Sequence, residues 1–117
     1  VDYEKFSGDR VGESSESIRA RVQAARDIQS QRFSKNGSAD IVCNADMRIG
    51  EIRKFCKLQD EGQRLMRAAM SQLNLSARAY HRILKLARTI ADLAGSEEIQ
   101  SPYLAEALQY RPKLMMA

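Results

Sequence analysis

A chain of 117 residues, 44% hydrophobic and 29% charged, can build one hydrophobic core without disulfide or metal staples, and its composition excludes global disorder. With no tryptophan and only 6% aromatic residues, that core must come from Ile, Leu, Met and Ala, which is a helical-bundle composition. The net charge of +4 is unevenly placed, since residues 47–88 carry ten Lys or Arg against Glu51, Asp60 and Glu61, a surplus suited to phosphate or an acidic protein surface.

Residues 1–13, VDYEKFSGDRVGE, mix Gly, Ser and charge and read as a linker from an upstream region, so the chain is expected to be a piece of something longer, with residues 14–117 forming one domain. Ser14 or Ser15 caps a first helix to about Phe33, with Ile18, Val22, Ala25 and Phe33 on one stripe and Ile28 at its margin. Ser34 to Asp40, containing Asn36-Gly37, reads as a loop. Asn44 is expected to cap a short helix near residues 47–57, in which Ile49, Ile52, Phe55 and Cys56 form the buried stripe. Asp60-Glu-Gly-Gln63 resembles a capping box and opens a helix carrying Leu65, Met66, Ala69, Met70 and Leu73 in register.

The next helix is the most informative. Ser76 caps it and Gly95 stands just past its end. Tyr80, Ile83, Leu84, Ala87, Ile90, Ala91 and Ala94 fall on one face, which places Arg78, His81, Arg82, Lys85, Arg88 and Asp92 opposite. A last helix starts with Ser101 as cap and Pro102 in first position, runs through Tyr103, Leu104, Ala107 and Leu108, and ends at Arg111-Pro112. Five helices with no alternating strand pattern and no repeat predict an all-α helical bundle.

The six glycines never give the phosphate-cradling spacing G-x-x-x-x-G-K-[ST], and His81 has no obvious nucleophile beside it. Cys43 and Cys56 lack C-x-x-C spacing and there is one histidine, so no metal site is expected. Without a secretory leader or an apolar run of spanning length, the expected location is the cytoplasm, away from membranes, with reduced thiols. Arg78 stands apart. As the second residue after the cap, it can project beyond a helix start whose N–H groups favour negative charge, and its planar fork suits phosphate. Arg82, one turn later, offers a weak second contact, or else a salt bridge or a solvated surface. A different use of the surplus charge is a helical nucleic-acid-binding module on Arg48, Arg53, Lys54, Lys57, Arg64 and Arg67. A purely structural interaction domain is the third reading.

The run Gly12 to Phe33, then Cys43-Asn-Ala, and then Leu73 to Leu93 closely resemble the C-terminal region of the magnesium-chelatase-related AAA+ ATPases, and Ala105-Glu-Ala-Leu-Gln-Tyr-Arg111 resembles that family's ending. The resemblance implies a helical lid that follows an upstream nucleotide-binding core, missing from this chain, which holds the P-loop and uses ATP with Mg2+. The chain alone would then bind no cofactor and hydrolyse nothing. Leu75-Ser-Ala-Arg78 is similar to the family's second sensor motif, which makes Arg78 the expected contact to the ATP γ-phosphate, reached from a neighbouring subunit of a homo-hexameric ring. The wording Arg78-Ala-Tyr-His-Arg-Ile-Leu-Lys85 resembles the ComM-like branch, linked to DNA branch migration during natural transformation. A lid of a true chelatase motor subunit is the alternative.

Overall fold

The computed structural model describes residues 14–35, 37 and 40–110. They form five helices: α1 Ser15–Lys35, α2 Ile49–Phe55, α3 Asp60–Leu73, α4 Ala77–Leu93 and α5 Ser101–Gln109, with a short 3-10 turn, Asn44–Asp46, before α2. The expected all-α bundle is observed. The proposed linker 1–13, residues 36, 38 and 39 of the expected 34–40 loop and the Arg111-Pro112 stop lie outside the described residues, while Ser34 and Lys35 of that loop are helical instead.

The amphipathic helix α4 is the axis of the molecule. It packs against α1, the 3-10 turn, α2 and α5, whereas α3 rests on α5. Its ends are fixed by local chemistry. Ser76 is extended, and its Oγ accepts the Ala79 amide at 3.1 Å. At the other end Gly95 adopts φ 73°, and the amides of Gly95 and Ser96 donate to the carbonyls of Asp92 and Ala91. That pairing closes the helix as a Schellman motif, whose left-handed residue is least strained as glycine. Ala87, Ala91 and Ala107 are wholly buried, and their small side chains let α4 and α5 approach closely. Phe33 and Phe55 meet edge to face at 5.6 Å and join α1 to α2.

Several boundaries differ from expectation. Ser14 does cap α1, accepting the Ser17 amide, but the helix continues to Lys35 and its apolar stripe is short. Ala25, Gln29 and Phe33 are buried, while Ile18 is 42% exposed and Ile28 is exposed too. Asn44 caps nothing, because it is buried in the 3-10 turn; Arg48 precedes α2 instead, and its amide donates to the Glu51 carboxylate at 3.0 Å. Ile49 is exposed, so the buried side of α2 is Ile52 with half-buried Phe55 and the adjoining Cys56. Asp60 and Ser101 are the first helical residues of α3 and α5 rather than their caps, and Ala94 is exposed. An isolated parallel bridge, Leu58 to Ile99, explains both shifted starts. It holds residues 58 and 99 extended, so that Gln59 and Gln100 become the caps whatever their side chains prefer. Gln59 also donates to the Glu98 carboxylate beside the bridge.

Candidate functional site

Arg78 lies on the first turn of α4, exposed, and its side chain makes no hydrogen bond or ion pair among the described residues. Ser76 satisfies the Ala79 amide, and the Tyr80 amide donates to the Ser76 carbonyl at 2.9 Å. The Ala77 and Arg78 amides precede the first possible intrahelical acceptor and point out from the helix start with the positive end of its dipole. The helix start that carries Arg78 is thus capped and exposed. Arg82 is half-buried in a shallow recess with Leu86, Lys85, Thr89 and Ala45, where the Lys85 ammonium donates to the Ala45 carbonyl at 3.1 Å.

The expected polar face of α4 requires correction at its far end. Arg88 and Asp92 are 4% and 2% exposed. The Asp92 carboxylate accepts from both terminal nitrogens of Arg32, at 2.7 and 2.9 Å, from Asn44 Nδ2 at 2.8 Å and from Arg88 Nε at 3.2 Å. Arg88 spends its remaining donors on the carbonyls of Glu97 and Ser96, at 2.8 and 2.7 Å. Asn44 Oδ1 in turn accepts from Arg32, its amide group also donates to Thr89, and its backbone N–H donates to Gln29. Burial lowers the Arg88 pKa, and the Asp92 charge opposes that shift. No buried side-chain nitrogen or oxygen among the described residues lacks a partner.

This hub joins α1, the 3-10 turn, α4 and the turn after α4 through one carboxylate and two guanidinium groups. Four donors occupy the carboxylate, so it is suited to holding segments in place and has no free oxygen for acid–base work. Sequence reasoning placed Asp92 and Arg88 on the solvated side because they are charged. Yet the spacing Leu84, Arg88, Ala91, Asp92 continues the stripe that Leu84 begins, and that periodicity was the available signal.

The six cations expected to serve nucleic acid have different surroundings. Arg48 is committed to Glu51 and Asp40, at 3.3 and 3.1 Å, and this pairing raises its pKa. Lys54 sits over the Phe55 ring, 5.4 Å from its centre. Arg64 lies beside Asp60, Gln63 and Arg67 in a small depression. Arg53, Lys57 and Arg67 do meet, around a groove of about 620 Å³ between α2, α3 and α4. Cys56 on the floor of this groove is buried, and desolvation pushes its thiol up to about 11. No group of three or more His, Cys, Asp or Glu side chains able to hold a metal occurs among the described residues, and no helix there is long and apolar enough to cross a membrane.

Comparison with known proteins places residues 12–111 within the family described as magnesium chelatase, subunit ChlI C-terminal. The chain is 47% identical over 105 residues to the competence protein ComM of Haemophilus influenzae, covering 90% of this chain and 19% of that protein. It is 43% identical over 100 residues to the YifB protein of Escherichia coli, covering 86% of this chain and 18% of that one. A protein of Mycobacterium bovis is 31% identical over 100 residues, 86% of this chain and 19% of its own length. The chain therefore spans about a fifth of the length of the curated relatives it matches.

Proposed function

From the premise that this chain belongs to the family of magnesium chelatase ChlI C-terminal domains, we propose that it is the nucleotide-sensing helical lid of a longer AAA+ ring ATPase. Residues 1–13 are then the linker from its core and residues 14–117 the lid. The observation that carries this reading is the placement of Arg78: an exposed guanidinium with no side-chain partner among the described residues, at the capped start of a helix whose far end is held by the buried Arg32–Asp92–Arg88 hub. Such an arginine can move as one body with the lid and deliver charge to a phosphate held by another part of the assembly.

In this reading ATP and Mg2+ are bound by the core outside this chain, and Arg78 reaches the γ-phosphate from a neighbouring subunit of a homo-hexamer. A fixed guanidinium there stabilises the negative charge of the transferred phosphoryl group and makes lid position depend on nucleotide state. Arg82 plays at most a supporting part. The 47% identity to a competence protein supports a ComM-like motor that acts on DNA in the cytoplasm over a chelatase subunit.

ATP turnover by the full-length protein, with and without DNA, tests this. Arg78→Ala should lower kcat about a hundredfold or more, as loss of a phosphate-contacting arginine does, with assembly intact by size-exclusion chromatography, while Arg82→Ala should stay within a few-fold of wild type. Unchanged turnover in Arg78→Ala would remove the sensor assignment. DNA stimulation of the wild type would favour the ComM-like motor.

A further inference from the structure

The groove between α2, α3 and α4 has a composition that neither the hub nor Arg78 uses. Because α2 rests on α4 while α3 rests on α5, α2 and α3 part over the α4 surface and leave an open recess. Its floor is apolar and soft: Ile52, Cys56, Met66 and Leu84 are buried, with half-buried Leu58 and Met70 at the sides. Tyr80 and His81, their rings 5.5 Å apart, form one wall. Arg53, Lys57 and Arg67 stand exposed around it, and no Asp or Glu among the described residues lines it.

We infer that this groove docks an acidic segment of a protein partner, seating one or two of its apolar side chains on the floor while its carboxylates face Arg53, Lys57 and Arg67. The charge pattern selects the partner. Three cations, with no carboxylate among the described lining residues, repel a basic segment, leave a neutral one without attraction and draw in an acidic one. The floor then separates peptide from nucleic acid: a phosphate backbone is held by exposed cations alone, whereas an apolar recess gains free energy only from a ligand with apolar side chains to bury. Met66 and Met70 are flexible and polarisable, so the recess can adapt to Leu, Met or Phe anchors of different shape. The raised pKa of Cys56 keeps it a neutral thiol at physiological pH and the floor uncharged. The proposal stands apart from Arg78, which does not line the groove.

Fluorescence anisotropy on the 117-residue chain provides the test, with labelled short acidic peptides carrying Leu or Phe anchors as probes. Their Glu-to-Gln and Leu-to-Ser versions and a labelled single-stranded oligonucleotide serve as comparisons. The acidic anchored peptides should bind, and the combined Arg53→Gln and Arg67→Gln variant should weaken binding about fivefold to tenfold at low salt. Arg48→Gln, away from the groove, should leave it unchanged. The two altered peptide versions should each bind less well, because charge and anchor both contribute. The proposal is overturned if none of the acidic peptides binds, if groove variants and Arg48→Gln act alike, or if the oligonucleotide binds and the Leu-to-Ser change has no effect. In the last case the groove is a nucleic-acid surface.

Discussion

Asp92 accepts from three side chains on three different segments, Arg32 of α1, Asn44 of the 3-10 turn and Arg88 of α4. Replacing it with Asn keeps the shape but removes the charge and aims an amide donor at Arg32 or Arg88. Breaking a buried ion pair from one side leaves the other charge stranded. Asp92→Asn should therefore destabilise the chain by about 3–5 kcal/mol, read by chemical denaturation. Cys56 gives a second prediction at this scale. Its folded pKa of about 11 lies above that of an exposed thiol. The native state thus holds that proton more tightly, and the associated stability is whole below the ordinary thiol pKa and lost as pH rises from there through about 11. Denaturation midpoints should fall over that alkaline window, with a shallower fall in Cys56→Ala. The Ser76 cap and the first-turn position of Arg78 were legible in the sequence because capping is a local rule. The roles of Arg88, Asp92 and Asn44 were not, because a charged residue is buried only when its partners arrive from elsewhere, here Arg32 from α1.

Among the elements, α4 followed its sequence most closely, since both of its ends are set by its own residues, Ser76 and Gly95. Ser76→Ala should cost about 1 kcal/mol in overall stability, with Ser76→Thr recovering most of it. The same substitution frays the turn that carries Arg78, so amide exchange should accelerate at residues 77–80 before it does at residues 87–91. The starts of α3 and α5 fall one residue earlier than their capping residues imply, for a physical reason. Asp60 and Ser101 are good caps in isolation, but the Leu58–Ile99 bridge holds the preceding backbone extended and moves the cap to a glutamine in each case. Likewise α1 shows a stripe in sequence that the fold uses only from Ala25 onward, with Val22 half-buried. Periodicity reports which side of a helix is apolar, and neighbouring elements decide how much of it is covered.

For the whole molecule, the helix number and the all-α class followed from composition and punctuation, because short connections between amphipathic helices permit few other solutions. The groove did not follow. Arg53 belongs to α2, Lys57 to the link that follows it and Arg67 to α3, and the divergence of α2 from α3 brings them around one recess. The hub has a further consequence. Its links join residues 60 and 48 positions apart in the chain, whereas the α4–α5 packing joins neighbouring helices. Closing such long loops is entropically expensive, so these bonds belong late in folding, after the local helices and the α4–α5 pair have formed. A late-forming interaction is largely absent from the transition state, and its loss appears mainly as faster unfolding. Stopped-flow kinetics of Asp92→Asn should therefore show a raised unfolding limb and a nearly unchanged folding limb. The ion cluster behind α4 sets how long the folded chain lasts and has little influence on how quickly it forms.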